Sequence, residues 1–96
     1  MLHTIPHSPT SDGRWSTILP MVLPSDVVLL LQDGVIAGLQ GSAAAAQLLA
    51  RGALIYALTP DLMARGVMQH LAVGITPMDY QGFVALTVQH WPHCAW

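Results

Sequence analysis

The sequence predicts a small single-domain α/β fold, a sandwich with a mainly parallel sheet flanked by helices. Two observations carry the prediction. Short apolar runs alternate along the chain with apolar residues at helical spacing, the signature of strand-helix-strand units. One of those runs, residues 27–31, is apolar throughout instead of alternating, as in a strand covered on both faces. A chain of 96 residues leaves room for one core, so residues 1–96 are read as one domain.

Each element has its own signal. Residues 2–5 read as the first strand, stopped by Pro6 and Pro9. Trp15, Ile18, Leu19, Val22 and Leu23 fall at i, i+3, i+4, i+7 and i+8, one apolar helix face. Ser11 or Asp12 can cap that helix and Pro20 should kink it. Residues 27–31 form the central strand. Ser42 suits the N-cap of a helix over 43–51, and Gly52 stands where a helix takes its left-handed C-terminal residue. Residues 54–58 make a third strand. Thr59-Pro60-Asp61 then offers a cap, a proline at the first helical position and a carboxylate at the positive helix end, opening a short helix to Arg65-Gly66. Residues 73–78 read as a fourth strand. Asp79 caps a last helix whose apolar positions include Phe83, Val84, Leu86 and Val88, and Trp91-Pro92 ends it.

Composition narrows the function classes. Hydrophobic residues make up 53% of the chain and charged residues 8%, against about 25% charged in an ordinary soluble domain. No apolar run approaches the roughly 20 residues that span a bilayer, and the N-terminus lacks the basic flank and long apolar core of a signal peptide. A cytoplasmic protein is expected, and the single cysteine, Cys94, agrees because it has no internal disulfide partner. The charges are five Asp and three Arg, with no Lys and no Glu, for a net charge of -2. Cationic side chains supply most nucleic-acid affinity, so direct nucleic-acid binding is not expected. With so few charges, exposed apolar surface is expected to be covered by another subunit.

The motifs that could carry chemistry are few. Asp33-Gly34 follows the central strand, where open α/β sheets place ligands. A phospho-acceptor there needs companion acids and a lysine, and this chain has no lysine. Gly34, Gly38 and Gly41 match neither a phosphate loop nor a dinucleotide fingerprint. Asp33-Gly34 is therefore read as a strand-ending turn or a polar contact at a subunit interface. His90, His93 and Cys94 are all possible zinc ligands, but adjacent His93 and Cys94 are awkward to aim at one ion, so neither a metal nor another cofactor is expected. His3, His7 and His70 show no obvious carboxylate partner in the sequence.

Taken in order, the start Met1-Leu2-His3-Thr4, the stretch Leu29-Leu30-Leu31-Gln32-Asp33-Gly34-Val35, Tyr56-Ala57-Leu58 with Asp61-Leu62-Met63-Ala64-Arg65-Gly66, the Asp79-Tyr80 pair, Phe83-Val84 with Leu86-Thr87-Val88, and the terminal Ala95-Trp96 resemble the TusB/DsrH family of sulfur-relay proteins. The resemblance runs from the first residue to the last. It implies a DsrE/F/H-like α/β fold and a place in a hetero-oligomer with homologous TusC-like and TusD-like subunits. In the TusBCD branch that complex passes persulfide sulfur toward 2-thiolation of the tRNA wobble uridine. In the DsrEFH branch it serves dissimilatory sulfur oxidation. The resemblance places the transferring cysteine on the TusD or DsrE-type subunit.

Persulfide transfer needs a thiolate, favoured at a helix N-terminus or beside a cation. DsrH-type members resemble one another in a cysteine near the first helix, and here residues 15–24 contain none. Only Cys94 remains, after a proline break where no helix can begin. A non-catalytic, TusB-like subunit is therefore the leading expectation. The alternative is a persulfide-carrying DsrH-type subunit working through Cys94, and a third reading is a stand-alone nucleotide-binding module. The interface candidates are Trp15, Asp33, Trp91 and Trp96, since aromatic anchors dominate interface energetics.

Overall fold

Five strands, all parallel, stand in the order β4-β3-β2-β1-β5 in the computed structural model, which describes residues 1–10 and 13–96. They are β1 (Leu2–Ile5), β2 (Val27–Leu30), β3 (Leu54–Leu58), β4 (Ile75–Met78) and β5 (His93–Ala95). Four helices join them: α1 (Trp15–Met21), α2 (Ala43–Ala50), α3 (Thr59–Ala64) and α4 (Tyr80–Gln89). The expected α/β sandwich is what is found, and the run after residue 26 is its central strand.

Most local signals act as their chemistry requires. Ser42 accepts a hydrogen bond from the Ala45 N–H at 3.1 Å, and Gly52 takes φ +82 beyond the end of α2. Asp79 accepts the Gly82 N–H at 2.7 Å and opens α4. The proposed caps of α1, Ser11 and Asp12, lie outside the described residues. Pro20 stands next to last in α1, and the helix ends at Met21. Arg51 covers that end by donating to the carbonyls of Val22 and Pro20.

Four expectations need correction. Leu23 is exposed rather than on the α1 core face, because the chain turns extended at Val22 once the helix has ended. Thr59 is the first residue of α3, and the cap position falls to Leu58, with no side-chain cap hydrogen bond. The fourth strand starts at Ile75, after Gly74 at φ +101 and a fully presented Val73. The tail is an edge strand: residues 93–95 pair in parallel with β1, in the register Leu2↔His93, His3↔Cys94, Thr4↔Ala95. Three residues of mixed polarity carry no strand signal, and the pairing energy comes from β1.

Side chains alternate across a strand, and the alternation splits the core in two. Val28 and Leu30 join Ile5, Ile55, Ala57 and Ile75 on one face, under α1, α2 and α3. Val27 and Leu29 join Leu2 on the other, where α4 supplies Leu86 and partly buried Phe83. The strand order explains the division. The chain steps β1 to β4 in one direction, then crosses back to β5, and right-handed crossovers put the returning helix on the opposite side.

Candidate functional site

Cys94 is half-buried on β5 and stands opposite His3 of β1 in the strand register. Paired residues of parallel strands share a face, so thiol and imidazole are neighbours. Such a pair is one way to activate a thiol, and here the imidazole is engaged elsewhere. His3 Nε2 lies 2.9 Å from Asp26 Oδ2, and the Trp96 indole Nε1–H donates to His3 Nδ1 at 3.0 Å. An indole N–H can only donate, so Nδ1 is the acceptor and it is Nε2–H that donates to Asp26. Trp96 also stacks on the ring, with centroids 6.1 Å apart and planes 13° from parallel. Both nitrogens of His3 are spent on structure.

The expectation that His3 lacks a carboxylate partner is thus overturned. Asp26, 23 residues away in sequence, reaches it from the turn before β2. Asp26 also accepts the Leu23 N–H at 2.9 Å and the Met1 ammonium at 3.1 Å. Burial alone would raise the Asp26 carboxyl. The hydrogen bonds from Leu23, His3 and the ammonium, with the ammonium's charge, outweigh burial and lower its pKa to about 2.

Alternation on β5 sends His93 and Cys94 to opposite faces, which separates the two as ligands. His93 Nε2 instead meets Thr4 Oγ1 at 3.0 Å. Among the described residues, no group of three His, Cys, Asp or Glu is gathered to hold a metal ion.

Asp33 stands in a 3-10 helix, Gln32–Gly38, at the C-terminal end of β2. Arg65 of the α3 end donates to Asp33 Oδ1 through Nη2 at 2.8 Å and Nε at 3.2 Å. Asp61 accepts the Gln32 N–H at 2.7 Å, which steadies Gln32 at φ +50. Gly34 is required for a different reason: a Cβ there would lie 1.9 Å from the Ile5 carbonyl oxygen. Asp33-Gly34 is a turn packed hard against β1, with its carboxylate ion-paired at the surface.

The four interface candidates part company in space. Trp15 is buried in the domain's own core, with Nε1–H donating to the His7 carbonyl at 2.8 Å. Trp96 is half-buried against the same core. Asp33 and Trp91 are at the surface, and Trp91 is 83% exposed. Sequence reading also missed where Val84 and Val88 point. With Tyr80 they make an exposed stripe at i, i+4 and i+8 of α4, while Phe83 and Leu86 face the sheet, and Trp91 lies beyond the helix end, where His90 is extended. The signal was available: α4 has apolar residues on more of its circumference than one core face needs.

A cleft of about 490 Å³ opens between α1 and α2, lined by Trp15, Leu19, Ala44 and Gln47 among others. Its described lining has no ionised side chain to hold a phosphate.

The fold and its contacts define a class: an all-parallel α/β domain whose thiol lies in an edge strand and whose second sheet face ends in apolar surface. The chain matches the family model for DsrH like protein over residues 7–92. It is 42% identical over 96 residues to Protein TusB of Pectobacterium parmentieri, 41% to Protein TusB of Escherichia coli (strain SMS-3-5 / SECEC) and 43% to Protein TusB of Serratia proteamaculans (strain 568). Each alignment covers 100% of both chains. The crystal structure of the ychN protein from E. coli superposes with a TM-score of 0.84 at 14% identity, covering 99% of this chain and 97% of that one, a likeness of fold. The chain belongs to the TusB/DsrH family.

Proposed function

We propose that this protein is a non-catalytic subunit of a hetero-oligomeric sulfur-relay complex in the cytoplasm, one that passes persulfide sulfur toward 2-thiolation of the tRNA wobble uridine. The observation that carries the reading is the setting of Cys94. It lies in a strand, away from any helix N-terminus, and the imidazole beside it has both nitrogens committed to Asp26 and Trp96. A thiol so placed lacks the usual activators, a helix N-terminus or an uncommitted imidazole. The sulfur-carrying cysteine then belongs to a homologous TusD-like subunit, and this chain completes the assembly with it and a TusC-like subunit. Asp33 with Arg65, beside exposed Met63 on α3, is the surface we assign to those subunits.

One feature favours the alternative, a persulfide-carrying DsrH-type subunit: Cys94 is only half-buried and has a histidine neighbour. Intact-mass analysis of the alkylated complex after loading with persulfide donor separates the two. Sulfur on the partner alone, and transfer by the Cys94→Ser complex within twofold of wild type, supports the non-catalytic reading. A persulfide on this chain that forms and discharges at the transfer rate overturns it.

A further inference from the structure

We propose that His3 is a proton-operated latch on the C-terminal strand: a second proton on its ring ejects Trp96 and loosens β5 from β1. The ring is 1% exposed and stands between two partners with opposite demands. Asp26 Oδ2, 2.9 Å from Nε2, accepts, and the Trp96 indole N–H, 3.0 Å from Nδ1, can only donate. Neutral His3 satisfies both with its one proton on Nε2. An added proton then has one place to go, Nδ1, where it points at the indole N–H. Two donors cannot share a hydrogen bond, and one of them has to leave.

The surroundings decide which. Asp26 gains an ion pair with the protonated ring, and its carboxyl, held at about 2, stays ionised throughout the range in which imidazoles titrate. The Met1 ammonium bonds the other oxygen of Asp26 at 3.1 Å and acts on His3 through that carboxylate. Cys94, opposite His3 in the strand register, is the titratable neighbour on β5, and α1 brings no titratable side chain over residues 15–21. Trp96 is held by less. Its backbone N–H donates to the Thr4 carbonyl at 3.0 Å, and β5 is a three-residue strand at the edge of the sheet. His93 Nε2 meets Thr4 Oγ1 and His7 Nε2 meets the Trp96 carbonyl, both at 3.0 Å, with Arg14 Nη1 2.6 Å from the same His7 nitrogen. A protonated His93 still donates to the hydroxyl and a protonated His7 crowds Arg14, so neither replaces the lost indole bond. Release of a short edge strand is a local opening. It uncovers the edge of β1 and turns Cys94 to solvent. Acid favours the open tail, and by reciprocity an open tail favours the proton.

The latch does not rest on the sulfur-relay reading, because it acts whether or not Cys94 carries sulfur. The test is NMR of the full chain, with hydrogen exchange expressed as protection relative to the unstructured rate at each pH. At about pH 7.5 the His3 ring should show the Nε2–H tautomer, and by about pH 5.5 it should also be protonated at Nδ1. Over the same interval the protection of the Trp96 indole and backbone N–H groups should fall at least about tenfold, the scale of one lost hydrogen bond. The Trp15 indole donates to the His7 carbonyl, an acceptor that does not titrate, and should change by less than about twofold. Trp96→Phe removes the opposing donor, so the backbone N–H at position 96 should lose its pH dependence. A His3 that stays neutral at about pH 5.5 with Trp96 in place, a Trp96 that keeps its protection once His3 is charged, or an unchanged pH dependence in Trp96→Phe overturns the proposal.

Discussion

The two faces of the sheet are covered unequally. Among the described residues, sixteen buried side chains make the cluster under α1, α2 and α3, and four make the cluster under α4. The first face is closed by the chain itself, with Leu48 and Leu62 fully buried over Val28 and Leu30. The second is one helix deep, and that helix also turns Tyr80, Val84 and Val88 outward. Hydrophobic free energy scales with area removed from water, so folding stability concentrates on the first face. The second face leaves apolar area uncovered at Tyr80, Val84 and Val88.

The largest expected loss lies where the first face is tightest. Gly34→Ala puts a Cβ against the Ile5 carbonyl, a backbone atom that cannot swing aside. Overlap of that kind belongs with the exceptional substitutions above about 4 kcal/mol, and no cooperative thermal unfolding transition should survive at 37 °C. A melt within a few degrees of wild type would remove the claim that this turn is locked to β1.

Next come matched truncations on the two faces. Leu48→Ala opens a void between α2 and the sheet, walled on all sides, and should cost about 4 kcal/mol. Leu86→Ala removes the same atoms beneath a helix that can settle inward, and about 2 kcal/mol is expected. Urea unfolding of both measures the contrast directly, and equal losses would mean that the second face is as rigid as the first.

A smaller effect is read in acid. Asp26 has a folded-state pKa of about 2 against 3.8 for the free side chain. Its contribution is therefore fully present above about pH 4 and is lost as the pH falls through 3.8 toward 2, on the order of 2 kcal/mol in all. Unfolding free energies from pH 5 to 2 should fall less steeply in Asp26→Asn than in wild type. Parallel slopes would show that the carboxylate is unpaired in solution.

The fold was largely readable because its signals are local. Ser42 and Asp79 are bonded to backbone N–H groups three residues on, and the unbroken apolarity of residues 27–30 follows from burial on both faces. What could not be read depends on distant pairing. β5 exists because β1 offers it an edge, and His3 meets Asp26 and Trp96 across 23 and 93 positions. Of the interface candidates, a tryptophan's sequence position does not say which surface it serves: Trp15 fills the domain's own core and Trp91 faces water. Gly34 shows the same limit, since its need for a missing Cβ comes from Ile5, 29 positions away, while its own backbone is unremarkable.

The smallest effect on folding is expected on the outer surface of α4. Val28 and Val88 are the same residue at opposite extremes, one fully buried between β1 and β3 and one 80% exposed on α4. Val28→Asp puts an unpaired carboxylate into the larger core, a burial so costly that the chain should not fold. Val88→Asp replaces an exposed methyl pair with a solvated charge on a helix surface, where changes stay within about 0.5 kcal/mol. Its urea unfolding midpoint should match wild type. A Val88→Asp chain destabilised by more than about 1 kcal/mol would place the outer stripe inside the fold's own packing and erase the distinction between the two faces.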